Sequence, residues 1–338
     1  MKSVAKKETT NKRRLITRDD ILDIYQKWRQ RGLPFLLSKL NINANSRTKS
    51  AFDNSAEGRA NWWMVPKVRR RWNEMITGDP TLIYESYVYQ HYLNNRNDLK
   101  MLSVGSGVCS HELNFAKQGI FKEVICVDMA ENLLQKASKT AHKEDLSAMQ
   151  FVSESIYNLE FEKNRFDVIL FHASLHHFPD IDHFLKEIIG PWLKPNGYII
   201  INEYVGANRM QYPRHQITAI NKGLQLIPDH LKIRQYSNLI KKQFRGPGWI
   251  RMIVADPSEC VDSESILPAL RTKFKVLEEK PYGGNLLMSI LKDIAHHFTD
   301  EEDQIAQDTL RQLFDFEDLY LKKYPSDFLF GIYQKTED

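Results

Sequence analysis

The chain has 338 residues, 42% hydrophobic and 27% charged, ordinary globular usage that excludes a collagenous, low-complexity or wholly disordered polypeptide. Its 47 Lys and Arg against 43 Asp and Glu leave a formal charge of +4, too small and too dispersed to specify a nucleic-acid stripe or an anionic membrane surface. Cys109, Cys126 and Cys260 fit neither a CxxC spacing nor an even disulfide framework, and no run approaches the roughly 18 apolar residues of a membrane span, so the expected compartment is the reducing cytoplasm.

The basic leader from Met1 to Arg14 has no apolar stretch behind it, so residues 1–16 are expected to be a disordered, solvated tail rather than a secretory signal. From about Thr17 to Asp98 the apolar spacing is helical, as in Ile21, Ile24, Tyr25 and Trp28, then Tyr84, Tyr87, Val88 and Tyr92. A polar stretch from Asn41 to Gly58 interrupts it. Residues 1–98 are therefore expected to form an N-terminal helical region that serves as a lid or binds substrate. Within it, Trp62, Trp63 and Trp72 accompany Arg69, Arg70 and Arg71. Such a set can stack on nucleic-acid bases, but core tryptophans beside solvated arginines are the commoner arrangement and the one expected here.

From Leu99 the pattern changes to short apolar runs separated by helical stretches of about ten residues, the signature of βαβ units around a parallel sheet. Strands are expected at Lys100 to Val104, Glu123 to Val127, Gln150 to Ser153, Phe166 to Phe171 and Tyr198 to Asn202, with Lys194-Pro195-Asn196-Gly197 as a turn before the last. Pro213, Pro228, Gly246-Pro247-Gly248 and Pro257 then mark an insertion over about 205–264. A strand resumes at Phe274 to Glu278, a second, helical insertion spans about 285–323, and Phe328 to Tyr333 closes the chain. Seven strands in one α/β domain over 99–338 result.

Gly105 and Gly107 stand where the first strand turns into a helix, and only residues without a β-carbon let the backbone approach a ligand closely there. Asp128 ends the next strand, where a carboxylate can accept both hydroxyls of a ribose. Together they indicate a nucleoside-type cofactor, either a nicotinamide dinucleotide, with Ser110 as the third small residue of its fingerprint, or S-adenosylmethionine.

The successive segments Ser103 to Cys109, Val127-Asp128-Met129, Phe151 to Ile156, Phe166 to His172 and Leu175 to Asp180 decide between them. In order and spacing they resemble the motifs of class I S-adenosylmethionine-dependent methyltransferases, over Leu99 to about Asn202. The resemblance implies a Rossmann-like, mostly parallel sheet with helices on both faces and an antiparallel last strand. It implies S-adenosylmethionine as cofactor, held by Ser103, Gly105, Ser106 and Gly107 of the loop, by Asp128 at the ribose, by Met129, Glu154, Ser155 and Ile156 around the adenine, and by the backbone of His172 at the methionyl amino group. Two positions depart from the family: its usual first acid is Ser103 and its third glycine is Cys109. The motif Asn-Pro-Pro-Tyr of base-amine methylation is also replaced, by His172-Ala173-Ser174-Leu175.

Methyl transfer from a sulfonium needs alignment above all, and His176 and His177, just past the fourth strand, are the candidate catalytic bases for a hydroxyl acceptor. Glu203, Tyr204, Arg209 and Gln211, leaving the fifth strand at the same sheet edge, are candidate acceptor contacts. The pattern also resembles bacterial methyltransferases of glycan or secondary-metabolite assembly, which implies a saccharide or secondary-metabolite acceptor. No HExxH occurs, and Asp180 with Asp182 make an ordinary helix entry, so no metal site is expected. The expected function is methylation of a small molecule, without nucleic acid or membrane as partner. The alternatives are an RNA- or protein-modifying methyltransferase and a non-catalytic S-adenosylmethionine-binding module.

Overall fold

The computed structural model describes residues 14–31 and 60–337, the side chains of 26–31 excepted. The polar stretch 41–58 and most of the leader lie outside the described residues. Arg14 to Ile16 are described and are tied down: the Arg14 guanidinium donates to Tyr212 O at 3.0 Å, and the carbonyls of Arg14 and Leu15 accept from Trp249 and Ile250. The expected disorder therefore does not reach residue 16.

Helix α1 (Arg18–Arg31) differs from its apparent amphipathicity, because Ile21, Ile24 and Tyr25 are exposed while Asp20 and Asp23 are buried. Charge pairing explains the inversion. Asp20 accepts from Arg251 and from the Gly248 amide, and Asp23 pairs with Arg251 and Lys292, so α1 docks through its acids on a basic ledge. Among the described residues, α2 (Pro66–Thr77) and α3 (Tyr84–Val88) also precede the sheet. Trp62 is buried and meets Trp72 edge-on at 4.4 Å; Arg70 and Arg71 pair with Glu301 and Asp318. The protein itself thus uses Trp62, Trp72, Arg70 and Arg71 of the set that suggested nucleic acid, whereas Trp63 and Arg69 are exposed.

The sheet has strands β1 (Leu99–Val104), β2 (Phe121–Asp128), β3 (Met149–Ser153), β4 (Phe166–His172), β5 (Leu193–Tyr204), β6 (Lys275–Gly283) and β7 (Phe328–Gln334), in the order β3-β2-β1-β4-β5-β7-β6. The first five pair in parallel, and β7 runs antiparallel to β5 and β6. Strands buried on both faces explain the unbroken apolar runs. Met101, Val168 and Leu170 face one core with Cys126, whereas Leu102, Ile169 and Phe171 face the other with Ile125. The expected turn at Lys194 to Gly197 lies inside β5: Asn196 takes a φ of +60°, yet its amide and that of Lys335 keep bonding across to β7's end, so the ladder passes through the kink.

Helix α4 (Ser110–Ala116) follows β1 and α5 (Glu131–Lys143) follows β2. Segment 205–264 carries α6 (Arg214–Gln225) and α7 (Trp249–Ala255), then α8 (Ile266–Lys273) leads into β6. Between β6 and β7 come α9 (Leu287–Leu291) and α10 (Gln304–Leu321). No helix among the described residues is long and apolar enough to cross a membrane.

Candidate functional site at the carboxyl edge of the sheet

The parallel strands end at one edge, where open α/β sheets bind ligands. There Gly105 (φ +71°) and Gly107 (φ +53°) turn β1 toward α4. The two glycines are needed for different reasons. A Cβ on Gly105 would stand 2.6 Å from Ser174 Cβ, so the neighbouring β4 turn demands this residue. A Cβ on Gly107 would meet nothing within 4 Å, so space lies open beside it. The amides of Gly105 and Ser106 both donate to Val127 O, and that of Cys109 to Ser106 O. Gly107 N donates to Asp128 Oδ2 at 2.8 Å, and Ala130 N to Asp128 Oδ1 at 2.7 Å. These bonds orient a buried carboxylate at the rim of the open space.

With the amides of Gly105, Ser106, Gly107 and Cys109 bonded within the protein, these residues can offer a ligand their shape and the Asp128 carboxylate. A pyrophosphate, which seeks unspent N–H groups at such a turn, would find few. Cys109, at φ +56°, occupies a left-handed position that glycine would fill without strain, and its buried side chain packs at the start of α4.

Ser103 donates its hydroxyl proton to Glu112 Oε1, from the first turn of α4. Glu112 is 1% exposed and its Oε2 is buried with no hydrogen-bond partner. Burial raises its carboxyl pKa above the ordinary range, against the pull of His111 and Ser103. A cationic group beside Oε2 would satisfy it.

Next to this acid lies a ring stack. His172, closing β4, sits 3.4 Å from His111 between ring centroids and 5.8 Å from Tyr84, nearly parallel to it. The Tyr84 hydroxyl and His172 Nδ1 are 3.0 Å apart, while Glu85 pairs with His111 Nδ1 at 2.6 Å and accepts from Asn114. Burial, then the neighbouring His111, holds the His172 pKa well below the usual value, so this imidazole is neutral. Helix α3 thus delivers Tyr84 and Glu85 to the sheet edge.

The adjacent histidines point elsewhere. Glu203, with no exposed surface, accepts from the amides of Ser174 and Leu175 on Oε1 and from His176 Nδ1, at 2.7 Å, on Oε2. His176 is 7% exposed and its Nε2 lies 3.9 Å from Glu259. Burial opposes the imidazolium and Glu203 overcomes it, raising the His176 pKa. His177 Nδ1 meets Ser258 Oγ at 3.0 Å, and burial beside His176 pushes its pKa down to about 3.

The expected acceptor contacts are placed differently. Glu203 is a buried support for the β4 turn, and Tyr204 is a core residue whose hydroxyl donates to Ala207 O, so neither presents surface to an acceptor. Arg209 donates to Glu259 O, and Gln211 to Arg209 O and Pro247 O; both clamp the insertion. Around the open edge, Met129 is half-buried and Ile156 buried, and the exposed Glu154 is fixed by the Ser155 amide and by Asn158, which lower its pKa. Tyr84, Glu85, His111 and Glu112 escaped the sequence reading, since two sit in a segment whose spacing read as plain helical core.

Residues 102–201 match the family described as "Methyltransferase domain". The chain is similar to the demethylmenaquinone methyltransferase of Staphylococcus saprophyticus, 33% identical over 112 residues, covering 33% of this chain and 47% of that protein. It is also similar to the sterol 24-C-methyltransferase erg6 of Aspergillus fumigatus, 26% identical over 145 residues, covering 41% and 37%. The chain spans less than half the length of these curated relatives. Among solved structures, phosphoethanolamine N-methyltransferase 2 of Haemonchus contortus, in complex with S-adenosyl-L-methionine, superposes with a TM-score of 0.47 at 18% identity, covering 75% of this chain and 52% of that one.

Proposed function

We propose that this chain, which carries a class I S-adenosylmethionine-dependent methyltransferase domain at residues 102–201, methylates a small molecule at a hydroxyl oxygen. The observation that carries the reading is the open space beside Gly107 with the buried Asp128 carboxylate on its rim. Bound S-adenosylmethionine supplies the methyl group on a sulfonium.

The residues present suit that group. Asp128 would hold the ribose hydroxyls, Met129 and Ile156 would flank the adenine with Glu154 and Ser155 at its edge, and Glu112 Oε2 would take the α-ammonium. A phosphate-free nucleoside also agrees with a loop whose amides are already bonded. Glu112 thereby supplies the carboxylate that Ser103 lacks, which supports turnover over a merely binding role.

Aligning the acceptor is worth roughly 7 to 11 kcal/mol and a general base about 3 to 5.5 kcal/mol, so positioning dominates. For the base we assign His172 rather than His176 or His177, which face the insertion. When Nδ1–H donates to the Tyr84 oxygen, His172 Nε2 is left as the proton acceptor. Residues 60–98 act as a lid in this reading, because α3 places Tyr84 on that imidazole. Trp62 and Trp72 in the core and Arg70 and Arg71 in ion pairs favour a small acceptor over RNA. Incubation with methyl-labelled cofactor, a metabolite extract and total RNA tests the proposal: label is expected in the low-molecular-weight fraction, and label confined to RNA or protein, or transferred to nothing, contradicts it.

A further inference from the structure

Five potential metal ligands from two distant stretches of sequence converge where the insertion crosses the sheet edge. The donor atoms of His176, Glu259 and Cys260 all lie within 4.8 Å of one another, and those of His177, Asp256 and Glu259 form a second such group sharing Glu259. Glu259 is the hub: its Oε1 is 3.9 Å from His176 Nε2 and 3.4 Å from Cys260 Sγ, and its Oε2 is 3.9 Å from His177 Nε2.

The hydrogen bonds behind these groups give the cluster its meaning. Glu203 takes two backbone N–H donors on one oxygen and holds His176 Nδ1 with the other, as a carboxylate does toward an Nδ1–H. With Nδ1 held there, Nε2 faces Glu259 at a separation too long for a hydrogen bond. A carboxylate fixing Nδ1 while Nε2 faces further donors is the arrangement that orients metal-bound imidazoles. The second observation is the backbone: Val261 N donates to His176 O at 3.1 Å, and Arg209 ties the carbonyls of both Glu259 and Cys260, so the two stretches are already joined in register.

We propose that His176 Nε2, a Glu259 oxygen and Cys260 Sγ bind one zinc-type divalent cation, with its fourth position on the His177 side. Mixed imidazole, carboxylate and thiolate donors select zinc over magnesium or calcium, which prefer oxygen alone. Zinc bonds of about 2.0 to 2.3 Å set ligands roughly 3.3 to 3.8 Å apart in a tetrahedron, so no pair of donors within 4.8 Å of each other closes by more than about 1.5 Å. Glu259, on an irregular segment after α7, can make that movement. Binding takes His176 as the neutral imidazole and Cys260 as the thiolate, and the displaced protons leave to solvent. The cation would fasten the insertion to the turn after β4, beside the acceptor site yet independently of methyl transfer.

The test uses the full chain, stripped by chelator and titrated with zinc against a chromophoric competitor, then with cobalt. One equivalent of zinc is expected, and cobalt should give tetrahedral bands with a thiolate charge-transfer band. Cys260→Ser should abolish that band, and Glu259→Gln should weaken zinc binding by about 100-fold, with cooperative thermal unfolding as the check that each variant is folded. Less than one equivalent of zinc, a wild-type cobalt spectrum without thiolate character, or binding unchanged in both variants would overturn the site. A folded protein that binds zinc but no S-adenosylmethionine would leave this inference standing and overturn only the proposed activity.

Discussion

Glu112, nine residues beyond Ser103, accepts the serine hydroxyl proton and so returns to the end of β1 the carboxylate that the strand itself lacks. Its second oxygen is buried and unpartnered, which is why the proposed function assigns it to the cofactor's ammonium. Glu112→Gln is therefore expected to weaken S-adenosylhomocysteine about 10- to 100-fold, the loss of a charge-assisted bond of roughly 1.5 to 3 kcal/mol. 5′-Methylthioadenosine, which has no ammonium, should bind the two proteins alike. Since burial raises the Glu112 carboxyl and only its ionised form pairs with a cation, wild-type affinity should fall as pH drops through that raised pKa. Calorimetry across pH checks this, and an equal fall in the variant would count against it.

The two loop glycines should fail differently. Alanine at 105 drives its Cβ into Ser174, with the β4 turn behind it, so Gly105→Ala should lower the melting temperature markedly. Gly107→Ala meets no neighbour and costs only the strain of a left-handed residue, about 1 to 2 kcal/mol, while its methyl enters the open space proposed for the cofactor. It should lose cofactor affinity more than stability. Paired melting and calorimetric measurements separate the two, and a reversed order would contradict the assignment.

His172→Ala should lower kcat by about 10²- to 10⁴-fold with cofactor affinity nearly unchanged, and Tyr84→Phe should lower it less. His176→Ala acts through the insertion and should chiefly affect stability and acceptor KM. Steady-state kinetics of the three variants decide the matter. A His176 variant slower in kcat than the His172 variant would move the proton-accepting role back to the adjacent pair.

The sheet was legible because parallel strands buried on both faces leave apolar runs that nothing else in the chain imitates, and Gly105, Gly107 and Asp128 mark its edge at family-like spacing. The rest depended on contacts across long sequence separations. Nothing near Ser103 says that Glu112 will bend back to it, and nothing near His176 announces Glu259 and Cys260. Glu203, a polar residue at a strand end, reads as a ligand contact, yet its two oxygens are needed inside to hold the turn that carries His176. In α1 the apolar stripe misled for the same reason: ion pairs from Arg251 and Lys292 outcompete Ile21 and Ile24 for the buried face.

Asp327 gives a pH prediction independent of the site. Burial pushes its carboxyl up to about 7, although Gln216 donates to it at 2.6 Å. The unfolded chain sheds this proton near pH 4 and the folded chain retains it, so stability from this group is full below about pH 4 and is lost as pH rises toward 7. Asp327→Asn removes the cost. It should raise the unfolding free energy at pH 8, by at most on the order of 4 kcal/mol, with a higher melting temperature there and little change at pH 4. Greater stabilisation at pH 4 than at pH 8 would refute it.

In the proposed function, the turn from β1 into α4, with Asp128, cradles S-adenosylmethionine. Isothermal titration of the folded chain with S-adenosylmethionine and S-adenosylhomocysteine tests it most directly. One saturable site for each, strongly weakened in Asp128→Ala, is the expected result; no binding heat from either, with tight binding of a nicotinamide dinucleotide, would contradict it.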